Sequence, residues 1–218
     1  GDIRLSAENL EFDDVKRGEK PQVTLFLLNA GKKDYAPELL HLPNYLTAKA
    51  EPATIRPGRI GKLVVTLKSN LLHGLGLTQS SVYLSRFAGD RVNKDNELGI
   101  SVTLLPNFTA AELSSPQAPL AEMATDVDLG AFNGKSKLKG IVLLANKGQS
   151  PLEIKMLQVY NPGLSVSLPK TTLRPGETTE MKIVVSTAVD RFRGSRKVLL
   201  ITNDPRHPKI LVNVTTKK

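Results

Sequence analysis

Leu173 to Val185 reads LRPGETTEMKIVV, and Ile55 to Leu67 reads IRPGRIGKLVVTL. In both, an aliphatic residue, Arg-Pro-Gly and a β-rich run follow one another, 118 residues apart. Turn chemistry accounts for the motif. Proline presets φ at the second position of a turn, and glycine accepts the positive φ that a type II turn needs at the third. The runs that follow alternate. Leu63, Val65 and Leu67 in one copy, and Met181, Ile183 and Val185 in the other, recur every second residue. That is the period of a strand with one buried face. The motif therefore starts a strand at the same place in two copies of one fold.

Working outward, Phe12-Asp-Asp-Val15 falls on Leu129-Gly-Ala-Phe132, and Asn29-Ala-Gly31 falls on Asn146-Lys-Gly148, both at an offset of 117. One inserted residue separates these anchors from the Arg-Pro-Gly pair. A repeat of this length is a tandem pair of domains and not a solenoid of short units. VTLFLLNAG, LKGIVLLANKG, QSSVYLS, KVLLITN and KILVNVT are further runs bounded by Gly, Pro, Asn or Asp, and they read as strands. About seven short strands per half predict a β-sandwich. The chain has no Cys and no Trp, so the paired-Cys and Trp pin of antibody domains is absent. The expected fold is all-β: two tandem Ig-like β-sandwich domains, residues 1–106 and 123–218, joined by a Pro-containing linker, 107–122. Three prolines in PNFTAAELSSPQAPLAEMATD mark the linker. Within it, Thr109-Ala-Ala-Glu112 has the spacing of a capping box and predicts one short helical turn ending before Pro116.

Composition narrows the chemistry. Aromatic content is 5%, so the cores must be built from Val, Leu and Ile. Without Cys there is no disulfide, no thiol nucleophile and no zinc–thiolate site. No apolar run approaches the ~20 residues of a membrane-spanning helix. The chain begins Gly1-Asp2 without a Met, so a trimmed export signal or N-terminal membrane anchor is an expectation. The net charge of +9 is uneven: residues 120–218 carry 16 Lys and Arg against 8 Asp and Glu. The excess of base belongs to the second half.

LGAFNGKSKLKGIVLLANKGQSPLEI, TTLRPGETTEMKIVVST and VLLITNDPRHPKILVNVT in the second half carry a resemblance. They resemble the bacterial "fifteen-seventy-three" family of domains of unknown function, which look like the Ig-like ASH and PapD-like group. Thr202-Asn-Asp-Pro205, followed by Pro208 and a closing strand, is the most specific piece. FDDVKRGEKPQVTLFLLNAGKK and ATIRPGRIGKLVVTL carry a fainter likeness in the first half. Many members have a Cys-containing segment before the Arg-Pro-Gly turn. Here LQVYNPGLSVSLPKTTL has none, so no redox or metal role transfers. The resemblance implies an exported bacterial protein at the cell envelope, in the periplasm or beyond, and supplies no catalytic residues.

His41, His73 and His207 have no metal-binding spacing. His41 reads as a packed or half-exposed residue at a strand end, His73 and His207 as loop residues. No serine sits in a nucleophile elbow. Asp13-Asp14 and Asp126/Asp128 lack the further ligands of a Ca²⁺ loop and read as turn residues before strands. Neither catalytic residue, metal nor cofactor is expected. The one constellation with substance is basic: Arg191, Arg193, Arg196 and Lys197 around Gly194, with Arg206 and Lys209 in the next hairpin. One exposed patch there, or two groups with Arg191–Lys197 at one pole of the hairpin and Arg206–Lys209 at the other, would suit a polyanionic glycan, a lipid headgroup or an acidic protein. Nucleic acid is disfavoured, because Phe192 is the only aromatic near the basic cluster and alternation points it the other way. The expected function is a non-enzymatic envelope protein whose Ig-like modules bind or scaffold a partner. The alternative is a periplasmic assembly chaperone similar to PapD, although its long hydrophobic strand motif is absent.

Overall fold

The computed structural model describes residues 2–187 and 196–217. The chain divides into two compact units, Gly1–Leu104 and Leu105–Lys218. In the first, β1 (Ile3–Leu5), β3 (Gln22–Asn29), β6 (Ile60–Leu67) and β5 (Leu46–Glu51) form one sheet in the order β1-β3-β6-β5. The other sheet is β2 (Asn9–Lys16), β8 (Glu97–Leu105), β7 (Gly76–Ser85) and β4 (Glu38–Leu40), in that order.

The second unit repeats this plan. One sheet runs β13 (Leu164–Ser167), β15 (Thr178–Ser186), β11 (Lys137–Asn146), β9 (Ala121–Met123). Its partner runs β10 (Asp126–Ala131), β17 (Lys209–Lys217), β16 (Arg196–Thr202), β12 (Leu152–Val159), β14 (Thr172–Leu173). Each strand of the first unit thus has a counterpart. Even the Leu152–Leu173 pairing is matched, by an isolated bridge between Tyr35 and Ile55. The chain is two tandem Ig-like β-sandwiches.

Alternation builds the cores. Leu25, Leu27, Leu63, Val65 and Leu67 turn inward against Leu10, Phe12, Val82, Leu84 and Val102. Val142, Leu144, Met181, Ile183 and Val185 do the same against Val198, Leu200, Val212 and Val214. Truncating one such Leu to Ala costs about 2–5 kcal/mol.

The Arg-Pro-Gly turns form as the sequence predicts. Gly58 has φ +70° and Gly176 φ +79°. Arg59 N–H donates to the Arg56 carbonyl at 3.1 Å, and Glu177 N–H to the Arg174 carbonyl at 3.0 Å. The capping box forms too. The Thr109 hydroxyl accepts the Glu112 N–H at 3.2 Å, and the Glu112 carboxylate accepts the Thr109 N–H at 2.7 Å, starting helix α1 (Ala110–Ser114). That backbone N–H, with the hydroxyl second, holds the Glu112 carboxyl below its usual range. One boundary differs from expectation. The stretch read as linker ends inside the second sandwich, because β9 begins at Ala121 and pairs with β11. Lys147 N–H bonds the Leu120 carbonyl at 2.8 Å and Gln149 N–H the Ala118 carbonyl at 3.2 Å.

Candidate functional site

The basic residues flank the β16–β17 hairpin. Its register pairs Arg196 with Val214 at one end and Ile201 with Lys209 at the other. Five residue steps of a strand, about 17 Å, separate those ends. Arg196 and Arg206 therefore stand at opposite poles, the second of the two arrangements the sequence leaves open. Arg196 itself is a correction, being only 6% exposed. It shares the parity of Val198 and Leu200, so its stem lies on the core face, and its guanidinium donates to the Thr216 hydroxyl at 3.3 Å. Lys197 is half-buried, its N–H donating to Asn161 Oδ1 at 3.0 Å. Arg206 is exposed and Lys209 half-buried. Arg191 and Arg193 lie outside the described residues.

At the hairpin-loop pole, beside Arg206, sits a node that sequence reasoning missed. Asp204 is fully buried in the turn of Thr202-Asn-Asp-Pro205. Its Oδ2 accepts the Ala121 N–H at 2.9 Å and faces His207 Nδ1 at 2.8 Å. Its Oδ1 accepts the Arg206 N–H at 2.9 Å. An ionised carboxylate only accepts, so Nδ1 of His207 carries the proton and Nε2 points elsewhere. This Asp–His pair is not a triad. The nearby Thr202 hydroxyl donates to the His207 carbonyl at 2.7 Å and accepts the Asp204 N–H at 3.0 Å, so backbone groups occupy it. The pair ties the hairpin loop to β9.

The remaining titratable candidates serve local structure. His41 is exposed just after β4 at φ +56°, its ring edge-on to Tyr83 with centroids 5.6 Å apart. It stands just past the strand end, exposed, and not within the strand as the packed or half-exposed residue expected. His73 is an exposed loop residue. Asp126 accepts from Asn213 Nδ2 at 3.0 Å. Asp128 accepts the Gly130 N–H at 2.8 Å and pairs with Lys217 at 3.3 Å. Those two contacts, the backbone one first, hold its carboxyl below the usual range. Among the described residues, no three His, Asp or Glu side chains converge as metal ligands.

The outer sheet faces carry a second unforeseen feature. Phe26 is 54% and Ile60 65% exposed on the β3–β6 face, with Ile60 opposite Leu28 and Phe26 opposite Lys62. Ile141 and Leu143 are 57% and 59% exposed on β11, opposite Lys182 and Glu180. Phe26 and Leu143 occupy the same place in the repeat, 117 residues apart. The signal was present in Leu25-Phe-Leu-Leu28 and Ile141-Val-Leu-Leu144: unbroken apolar runs put apolar groups on both faces of a strand.

These features belong to the class of tandem Ig-like β-sandwich proteins. The profile of the HYDIN/CFA65/VesB-like Ig-like domain matches residues 119–217. A protein of unknown function from Porphyromonas gingivalis W83, known from its crystal structure, is 21% identical. The match covers 100% of both chains with a TM-score of 0.76, a likeness of fold. The E. coli chaperone DraB is 10% identical over 97% of this chain and 96% of its own, with a TM-score of 0.35. The Vibrio cholerae VesB protease is 12% identical over 81% and 64%, with a TM-score of 0.39. Comparison with curated proteins finds no match.

Proposed function

We propose that this chain is a non-enzymatic binding or scaffolding module of the bacterial cell envelope, working outside the cytoplasm. The observation that carries the reading is the pair of apolar outer faces, Phe26 with Ile60 and Ile141 with Leu143. The solvent face of an antiparallel sheet is ordinarily polar, and exposed apolar groups gathered on one face mark interaction surfaces. Their recurrence at one repeat position fits a partner that engages both modules. The net charge of +8 on residues 120–218 favours an acidic protein or acidic glycan. The resemblance of the Thr202-Asn-Asp-Pro205 segment and its flanking strands to the "fifteen-seventy-three" domains supports the envelope location.

The test is photo-crosslinking in the native bacterium from positions 28 and 145, which flank the two faces, combined with cell fractionation. Adducts with an envelope component that vanish on Phe26→Ser with Leu143→Ser are the expected result. A pilin-like subunit as the adduct would turn the reading toward a chaperone. A cytoplasmic location without adducts would overturn it.

A further inference from the structure

The loop that joins β7 to β8 departs from the repeat. In the second sandwich the matching hairpin, β16–β17, closes with Ile201 opposite Lys209, and seven residues lie between them. In the first, Tyr83 stands opposite Glu97, and thirteen residues lie between them. The first sandwich thus carries six extra residues at this place. Insertions in one copy of a repeat map to loops, and binding residues concentrate on loops that a rigid scaffold holds in place.

The base of this loop is fixed by its own polar groups. The Arg86 guanidinium donates twice to the Asp90 carboxylate, at 2.8 and 3.1 Å, and the Arg86 N–H donates to Asp90 Oδ2 at 3.0 Å. Buried Asn96 donates to Asp90 Oδ2 at 3.3 Å and to the Arg91 carbonyl at 3.2 Å. Asn93 Oδ1 accepts the Asp95 N–H at 2.8 Å and Asn96 Oδ1 the Asn93 N–H at 2.9 Å, which caps one 3-10 turn, Lys94–Asn96. The Asp90 N–H donates to the Phe87 carbonyl at 3.0 Å across a turn with Gly89 at φ +80°. What the loop turns to solvent is of another kind. Phe87 is 62% and Val92 40% exposed. Ala88, Arg91 and Lys94 are exposed in the same loop. Among the described residues neither Arg91 nor Lys94 is ion-paired. Asp95 is the one exposed carboxylate within the loop, since Asp90 is taken by Arg86, and Glu97 just beyond accepts the Ser81 hydroxyl at 2.5 Å.

We infer that this loop docks on the surface of an anionic phospholipid bilayer. Phe87 and Val92 enter the boundary between headgroups and acyl chains, and Arg91 and Lys94 meet the headgroups. The size of the loop favours lipid over protein. A stable protein interface buries roughly 800 Å² per partner, and one loop with two apolar side chains offers only part of that. A bilayer asks for less. A few buried apolar groups together with basic side chains near an anionic surface give reversible binding, and neither signal holds firmly alone. The two free cations outnumber the one exposed carboxylate, so the headgroups that fit are negative. The fixed base means that little chain entropy is lost on docking. This surface adds to the binding-module reading and does not rest on the apolar sheet faces.

The chain contains no Trp, so Phe87→Trp installs a single fluorescent reporter in the loop. With vesicles of phosphatidylglycerol and phosphatidylethanolamine at low salt, its emission should shift to the blue and be quenched by lipid brominated high on the acyl chain. Flotation of the chain with the same vesicles should fall about tenfold or more in Phe87→Ser with Val92→Ser. It should fall severalfold in Arg91→Ser with Lys94→Ser, and on neutral phosphatidylcholine vesicles that variant should match the wild type. All four positions are exposed, so melting temperatures should stay at the wild-type value. Phe26→Ser with Leu143→Ser should float as the wild type does, which separates the loop from the sheet faces. The inference is overturned if the reporter does not shift, if flotation survives the loss of Phe87 and Val92, or if flotation is lost in Phe26→Ser with Leu143→Ser instead. A blue shift produced by an isolated envelope protein, with none from vesicles, would overturn it in favour of a protein pocket. Crosslinking adducts from the sheet faces would stand under any of these results.

Discussion

The backbone carbonyl of Asn146 accepts the Gly176 N–H at 2.9 Å, and the Asn146 side-chain amide reaches the Leu173 carbonyl, three residues before that glycine, at 3.0 Å. Asn29 makes the same two bonds in the first sandwich, to Gly58 at 2.7 Å and to Ile55 at 2.8 Å. In each half the Asn-x-Gly turn thus clamps the Arg-Pro-Gly turn from below. Both asparagines are buried, so a broken clamp cannot be repaired by water.

Asn146→Ala should therefore cost more than Gly176→Ala. The first leaves the Ser150 and Leu173 carbonyls and the Gly148 N–H without the side chain that serves them. The bond to Leu173 is buried and the other two are partly buried; a buried orphan costs about 1–3 kcal/mol, and a total loss of about 3 kcal/mol is expected. The second adds a methyl that meets nothing within 4 Å at φ +79°. It should cost about 1–2 kcal/mol, the penalty of left-handed backbone. Urea unfolding of both variants checks the order, and a reversed ranking would refute the clamp.

Gly148→Ala should be severe for a different reason. An added Cβ would lie 2.4 Å from the Ala118 carbonyl oxygen and the Leu120 nitrogen. Those atoms are backbone of the strap leading into β9, so they cannot rotate away. Overpacking of this kind costs about 1–3 kcal/mol. Faster amide exchange at Ala121 and Met123 should accompany it, because the strap must lift. Gly74→Ala, with nothing near the new methyl, should stay within about 0.5 kcal/mol.

Acid should weaken the first sandwich partly through Asp90. The Arg86 side chain, then its backbone N–H, hold the Asp90 carboxyl well below the usual carboxylate range. A depressed folded pKa gives a contribution that is complete above the unfolded value of about 4 and is lost as pH falls below it. Asp90→Asn should flatten the fall in stability between about pH 4 and pH 2. Denaturation at stepped pH measures this, and an unchanged slope would remove Asp90 as a source.

The basic residues should separate by experiment. Arg196→Ala should lower the melting temperature, because the side chain is buried against Thr216. Arg206→Ser should leave it within about a degree or two, since exposed charges contribute little. If the hairpin-loop pole meets a polyanion, heparin retention at low salt should drop in Arg206→Ser with Lys209→Ser, and the difference should fade as added salt screens it. Equal retention of the double variant and the wild type at low salt would show that this pole takes no part.

Much of the fold was legible in the sequence because it is periodic and local. Alternation at Leu63, Val65 and Leu67 and at Met181, Ile183 and Val185 names the inward face of one strand in each half. Arg-Pro-Gly names the turn before it, since only glycine accepts that φ at ordinary cost. The capping box from Thr109 to Glu112 is contained in four residues and formed as read. The candidate site was less legible. Arg196 looks like its charged neighbours in the sequence, yet strand parity sends it inward with Val198 and Leu200. The far position of Arg206 was open to reading, because a hairpin puts its loop at the end away from Arg196. The bond from Ala121 to Asp204 spans 83 residues, and no local pattern encodes it. β10 reaches β17 only from Asn213 onward, and no local pattern sets that start. Sequence determines which residues alternate and where the chain must turn, because those are constraints between near neighbours. Which edges remain open and which charges are buried was decided only when distant strands were brought side by side.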